Sequence, residues 1–235
     1  MMGVQRLTLN QIRDMILHAC GAAASTSAFW GTDANLFLKI NMVGQNIPAK
    51  VGMLLKAGGR KVGIDFWKTQ VTSATSGTGL VIAAGSSTGY CPVNYYHYES
   101  FYDLTNGSRI HVIEDPVRHQ ATLENLKKKP AGPPEAVEFL DMATLSTNWQ
   151  RKFIILPSTV SGVTPSVQLT YYRLPASMPG DDGDAEYPDA PIEYHALWAY
   201  GTIMEVLARS DPEYDRYKML NDEMLQAVAA HAKIL

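Results

Sequence analysis

Apolar positions follow a helical period at both ends of the chain and a strand-like pattern in its middle. Leu9, Ile12, Met15, Ile16 and Ala19 fall on one face of a helix, and Leu36, Ile40, Val43 and Ile47 on one face of a second. Thr8 with Gln11 makes a capping box, in which hydroxyl and amide side chains satisfy orphan backbone donors of the first turn. Gly21 stops that run. The second helix opens at Thr32 or Asp33. Pro48 is expected to kink it or end its first half, because an interior proline removes a donor and collides with the preceding turn.

From residue 62 to 180 β-branched, aromatic, Ser, Thr and Gly residues dominate, and Thr69 to Tyr98 contains no Asp, Glu, Lys or Arg. The pattern predicts strands at Lys61 to Val71, Gly79 to Ala84, Tyr95 to Leu104, Arg109 to Ile113, Lys152 to Leu156 and Ser166 to Arg173, with Asn106-Gly107 as a hairpin turn. A short helix fits Thr122 to Lys128. The helical period returns with Ile192, Ala196, Ala199, Ile203 and Val206 or Leu207. Asp211-Pro212-Glu213 supplies a cap, a first-turn proline and a first-turn acid for a last helix. Its stripe is Tyr217, Leu220, Met224 and Val228, with Leu225 alongside, continuing to Ile234 and Leu235.

The expected architecture is α+β: residues 1–60 and 190–235 form a helical bundle, and residues 61–189 a β-rich, sandwich-like or curled-sheet insertion. Apolar stripes at both ends need partners, and each is the nearest supply for the other.

Composition narrows the function. With 20 basic and 23 acidic side chains the formal charge is -3, so bulk attraction to nucleic acid is not expected. The charge is polarised: residues 181–235 hold 12 acids and 4 bases, a balance of -8 that leaves +5 on the rest. No run of apolar residues approaches a membrane span and the opening residues lead into a helix pattern, so a cytosolic, membrane-free protein is expected. Cys20 and Cys91 are too few for a disulfide framework and should be reduced.

Candidate chemistry is sparse. Cys91, His97 and Asp103 contain the residue types of a thiol nucleophile, base and orienter, yet Cys91-Pro92 in an uncharged stretch reads more simply as a small residue near a strand end. His97, His111 and His119 lack paired ligand spacing. Asp181, Asp182, Asp184, Glu186 and Asp189 offer hard oxygen ligands without the order of a calcium loop, which favours a solvated acidic linker. The glycines from Gly77 to Gly89 have no following Lys or helix and read as turns rather than a phosphate cradle. Arg118, His119 and Lys127 to Lys129 form a modest basic patch. Trp30, Trp67, Trp149 and Trp198 are scattered, which suits core or interface anchors better than a stacking platform. No cofactor is expected.

Three segments carry a resemblance. Arg6-Leu7-Thr8-Leu9 through Met15, Phe29-Trp30-Gly31-Thr32-Asp33 through Asn41, and Tyr194-His195-Ala196-Leu197-Trp198-Ala199-Tyr200 through Asp211-Pro212-Glu213 to Leu225 resemble the helices of head-to-tail adaptor (connector) proteins of tailed bacteriophages. Val167 through Pro175 resembles the strand that precedes the closing helices. The long β region is more similar to the larger adaptors of the tail tubular type.

The resemblance implies a non-enzymatic structural protein of the virion neck or tail, assembled in the host cytoplasm. It implies a homo-oligomeric ring, typically of twelve subunits, docked on a portal protein above a tail or nozzle protein, with tail fibres as a further partner. Packaged DNA would pass through without specific binding. Within that reading Tyr217, Leu220, Met224, Leu225, Val228, Ile234 and Leu235 are the expected portal or ring interface, and Asp181, Asp182, Asp184, Glu186 and Asp189 an acidic lumen face or linker. Two other classes stay open: a β-rich carbohydrate- or surface-binding module using Tyr95, Tyr96, Tyr98 and Tyr102, and a hydrolase dependent on Cys91 or a metal.

Overall fold

A computed structural model describes residues 6–21, 32–58, 60–145, 148–160, 163–180, 185–207, 209 and 211–235. The described elements are α1 (Leu9–Ala19), α2 (Asp33–Gln45), α3 (Ile47–Leu54), β1 (Val62–Ile64), β2 (Lys68–Thr72), β3 (Val81–Ile82), β4 (Thr88–Tyr90), β5 (Tyr95–Asp103) and β6 (Ser108–Ile113). They continue with α4 (Gln120–Lys128), β7 (Ala136–Leu145), β8 (Asn148–Leu156), β9 (Val167–Arg173), α5 (Ala196–Val206), α6 (Tyr214–Ala229) and β10 (Ala232–Ile234). The chain is therefore α+β. It divides into two compact units, Met1–Trp67 with Leu174–Leu235, and Lys68–Arg173. Among the described residues no helix is long and apolar enough to cross a membrane.

In the first unit, helices from the two ends of the sequence share one core. The Thr8 capping box forms, with Gln11 N–H donating to the Thr8 hydroxyl at 3.1 Å and Thr8 N–H to the Gln11 side chain at 2.9 Å. Thr32 caps α2. The chain turns at Asn46, so Pro48 sits in the first turn of α3, where a missing N–H costs nothing. Leu9, Ile12 and Ile16 of α1, Leu36 and Ile40 of α2, and Leu197, Trp198 and Ile203 of α5 are buried together with Leu225 and Val228 of α6.

Two glycines set the spacing between α2 and α5. A Cβ on Gly44 would lie 2.1 Å from the Trp198 indole nitrogen, and one on Gly201 would lie 2.6 Å from Val43 Cγ1. Each helix thus presents a notch that the other's side chain fills.

The second unit is one curled sheet in the order β2-β9-β5-β6-β7-β8-β4-β3. Its ends approach through a parallel bridge between Ala74 and Val81, so the sheet nearly closes around Phe101, Val137, Phe153, Leu169 and their neighbours. Near-closure shields the edge strands' unpaired backbone groups. β6 and β7 are parallel, and their connection contains α4, whose Leu123 and Leu126 bury against Ile113, Ala136 and Leu156.

Several expectations are corrected. The boundary expected at residue 61 lies at 68, because Val62, Ile64 and Trp67 are buried in the helical core and β1 pairs with β10. The boundary expected at 190 lies at 174. The last helix stops at Ala229; Ile234 stands opposite Val62 in an antiparallel pair instead of extending a helical stripe, and Leu235 N–H donates to Lys61 O. α6 opens at Tyr214, after a turn in which the Asp211 carboxylate accepts from Glu213 N–H at 2.8 Å. β4 and β7 were not anticipated. Ala136–Leu145 is rich in Ala, Glu, Leu and Met, which favour helices in isolation, and pairing with β8 overrides that preference.

Gly44→Ala is expected to destabilise the helical unit by about 1–3 kcal/mol through overpacking against Trp198. Gly52→Ala, where the new Cβ would meet Val62 at an ordinary 3.4 Å, should be neutral or mildly stabilising. Thermal melts of the two variants against the parent check this.

Candidate functional site

Exposed apolar side chains on the helical unit include four on α2 and α3, besides Met219, Ile192 and Ile234 elsewhere. Leu38, Met42, Met53 and Leu54 are exposed, Met53 at 77% of its possible area, and Lys50 is the one charged residue from Asn41 to Leu55. The inward positions Leu36, Ile40, Val43 and Ile47 match the stripe read from the sequence. A groove of about 870 Å3 runs beside Leu38 and Met42, bordered by Arg13, Asp33, Phe37 and Met178. Its wall is fixed by Asn41. The Asn41 amide donates to Met178 O at 2.7 Å and accepts from Met178 N–H at 2.8 Å, so one side chain clasps both backbone groups of that residue.

Charges here are largely spent on positioning. Glu205 of α5 pairs with Lys39 of α2 and, at 3.5 Å, with Lys50 of α3. Arg13 reaches Asp14 and Asp33. Arg6 lies over the Tyr187 ring at 3.5 Å.

The residues expected at a portal or ring interface do not form one exposed surface. Leu225 and Val228 belong to the core of their own chain, and Tyr217 and Met224 are half-buried against it. Leu220 is half-buried, and Ile234 and Leu235 lie at the β10 end of the chain. The physical reason is that α6 needs its apolar face to cover α5 and α3, so that face is not free for a partner.

Of the expected acidic set, Asp181, Asp182 and Asp184 lie outside the described residues, as do Phe29, Trp30 and Gly31. Glu186 and Asp189 hold backbone. Both Glu186 oxygens accept from Gly180 N–H, at 3.0 and 2.7 Å, and Asp189 accepts from Ala176 N–H at 2.8 Å while its carbonyl accepts from the Trp67 indole. These two carboxylates fasten backbone at Ala176 and Gly180.

The nucleophile candidates are not assembled. Cys91 is fully buried in the sheet core, and burial pushes its thiol well above the ordinary range, the reverse of an activated thiolate. Asp103 is buried and accepts from Thr105 N–H, Asn106 N–H and the Asn106 amide, which locks the β5–β6 loop. Among the described residues no group of three His, Cys, Asp or Glu side chains is arranged to hold a metal ion. His111 and His119 do approach edge to face, at 6.3 Å.

Three members of the basic patch are paired with acids: Lys127 with Glu138 at 3.1 Å, Lys129 with Glu135 at 2.6 Å and Arg118 with Asp115 at 3.4 Å. The tyrosines expected as a sugar platform do not share a face. Tyr95 and Tyr98 pack toward the sheet core, where burial pushes both phenols upward, and Tyr98 donates to Glu114. Tyr102 is exposed and donates to Gly107 O.

His195 is a residue whose role the sequence pattern did not indicate. It is buried, its Nδ1 accepts from Leu7 N–H at 3.3 Å, and its Nε2 lies 3.1 Å from Ala190 O. Those partners define the neutral tautomer with the proton on Nε2. The ring thereby ties the start of α1 to the segment before α5. Gly44 and Gly201 were also overlooked, although a glycine inside a helical pattern is itself a signal of close approach.

No protein-family model matches the chain, and no curated protein matches it.

Burial lowers the His195 pKa below its ordinary 6.5; the Nε2–H bond to Ala190 O and the Glu193 charge oppose that shift, and Arg6 adds to it. The native state then binds this proton less readily than the unfolded state. The stabilisation is whole above about pH 6.5 and is lost as pH falls through the lowered native value. Melting temperature should drop on that side, and His195→Gln, which keeps one acceptor and one donor, should flatten the dependence. For the thiols, a maleimide reagent should leave Cys91 unmodified in the native protein and modify it only after unfolding.

Proposed function

We propose that the chain is a structural adaptor that assembles as a ring, typically of twelve copies, between a portal and the tail of a phage virion, with DNA passing through its centre. In this reading the helical unit is a bundle that forms the ring body, and the β unit is a sandwich-like insertion that meets the tail or nozzle protein. The observation that carries the reading is convergence. Described segments that resemble connector helices, Arg6 to Met15, Thr32 to Asn41 and Tyr194 to Leu225, are separated by up to about 150 residues of sequence and contribute to one core.

The motif residues also have work that fits a scaffold. Thr8 and Thr32 cap helices, Asn41 clasps Met178, and His195 secures the start of α1. None of these is left for chemistry on a substrate. With the α6 stripe committed to the core, the exposed run Leu38, Met42, Met53 and Leu54 becomes the surface that docks on the portal. Methionines suit such a face because they adapt to the contours of a partner.

Mixing the full chain with its cognate portal should give a complex whose native mass corresponds to a ring of adaptors on the portal. Leu38→Asp with Met53→Asp should weaken that complex without changing the melting temperature, since both side chains are exposed. Absence of any complex with the parent protein would overturn the portal reading.

A further inference from the structure

We propose that the loop between α3 and β1, from Lys56 to Lys61, is a surface that grips the phosphates of duplex DNA without reading its sequence. The proposal rests on the ring reading above, which puts duplex DNA beside every copy, and it names the part of the chain that meets that DNA.

Charge is segregated around this loop. Residues 34–64 hold five bases, Lys39, Lys50, Lys56, Arg60 and Lys61, and no acid. Lys39 and Lys50 are drawn to Glu205 of α5, so the chain itself supplies their counter-charge. The loop bases differ. Lys56, Arg60 and Lys61 are exposed, and among the described residues neither Lys56 nor Arg60 meets a carboxylate in an ion pair. Pairing of β1 with β10 brings up a fourth base, because Lys233 stands opposite Gly63, two residues beyond Lys61. Asp65 is the first acid after the cluster. A formal charge of -3 on the whole chain opposes bulk attraction to DNA, but a local cluster of this kind still gains from a polyanion, whose phosphates exchange their counterions for the bound side chains.

Two details show that the loop places its charges. Helix α3 ends in a Schellman motif, with Lys56 N–H donating to Met53 O at 3.1 Å and Ala57 N–H to Gly52 O at 3.0 Å. The residue that turns the chain there is Lys56, at φ 51°, left-handed backbone that glycine adopts freely and a residue with a Cβ adopts at a cost. Glycine would serve the turn better, so an exposed lysine at that strained position points to work outside the fold. Arg60 is the second detail. Its Nε donates back to Ala57 O at 3.4 Å, which holds the guanidinium beside the turn that carries Lys56. A guanidinium fork matches the paired oxygens of a phosphodiester, and an ammonium beside it adds a point charge for the next phosphate.

Binding of the full chain to a labelled mixed-sequence duplex, followed by fluorescence anisotropy between about 20 and 200 mM salt, tests the proposal. The parent is expected to bind at the low end, with an affinity that falls as salt rises. Lys56→Gly and Arg60→Ala should each weaken binding about threefold or more and lower the slope of log affinity against log salt by about one. Lys56→Gly should also keep or raise the melting temperature, because glycine relieves the left-handed position, so its loss of binding cannot come from unfolding. Lys128→Ala, at an exposed lysine of α4 in the other unit, should change neither. A parent that ignores the duplex at low salt, loop variants that bind as tightly as the parent, or an equal loss in Lys128→Ala overturns the proposal. Retention on phosphatidylglycerol vesicles with no binding to duplex assigns the loop to a membrane surface and overturns it as well. Assembly on the portal is scored separately: a parent that forms the ring yet ignores DNA overturns this proposal alone, and one that binds DNA through the loop yet never joins the portal overturns the ring reading alone.

Discussion

The crossing of α2 and α5 is the constraint on which the helical unit depends. Trp198 enters the space that Gly44 leaves, and Val43 enters the space at Gly201. Because the notches are reciprocal, neither helix can shift along the other without losing a filled volume. The arrangement has a cost, since a glycine inside a helix is worth about 1 kcal/mol less than alanine. That cost is offset only if the close approach buries a large side chain, and Trp198 is 1% exposed. From this contact follow the rest: α6 lies on α5 with Tyr200 and Tyr217 6.0 Å apart, and Glu205, on the same helix as Trp198, reaches back to Lys39 and Lys50.

A second layer of fastening works through backbone groups. Residues 174–180 and 185–190 have no helix or strand, so their donors and acceptors need side-chain partners. Asn41, Glu186, Asp189, Trp67 and His195 supply them, and Leu9 N–H donates to Glu186 O. Acids in a region with a formal surplus of negative charge are thereby drawn into structure. The aromatic group of Phe66, Trp67, Tyr194 and His231, with ring separations of 4.8 to 6.0 Å, closes the same end of the unit and explains why β1 and β10 belong there.

Local rules were the legible part of the sequence. The capping box at Thr8, the cap at Thr32, the break near Pro48 and the inward stripe of α2 depend on residues within one or two turns, and periodicity reports them directly. What was not legible depends on distant pairing. β7 carries helix-favouring residues and becomes a strand because β8 and β6 stand on either side of its first half. Ile234 and Leu235 continued a helical stripe on paper, but β1 offered them a strand partner more than 160 residues earlier. The same limit misassigned the α6 stripe: periodicity finds an apolar face without saying whether the chain itself or another molecule covers it. Cys91, His97 and Asp103 illustrate the converse, since residue types were suggestive while burial and loop bonds gave Cys91 and Asp103 separate structural roles.

Where charge is absent is as informative as where it is present. The outward side of α6 carries Asp215, Arg216, Lys218 and Glu223 around an exposed Met219. The side of α2 and α3 that keeps Leu38, Met42 and Met53 exposed has its lysines, Lys39 and Lys50, drawn to Glu205, and the distal β7–β8 ribbon keeps Met142 and Trp149 exposed beside Arg151. Scattered apolar residues are ordinary on any surface, but contiguous ones with the charges removed raise the free energy of the isolated chain and promote association. A chain with only 18% charged residues has few to distribute, and many of those it has are engaged in internal pairs. Leu38, Met42, Met53, Met142 and Trp149 are positions at which contact with another molecule removes apolar area from water.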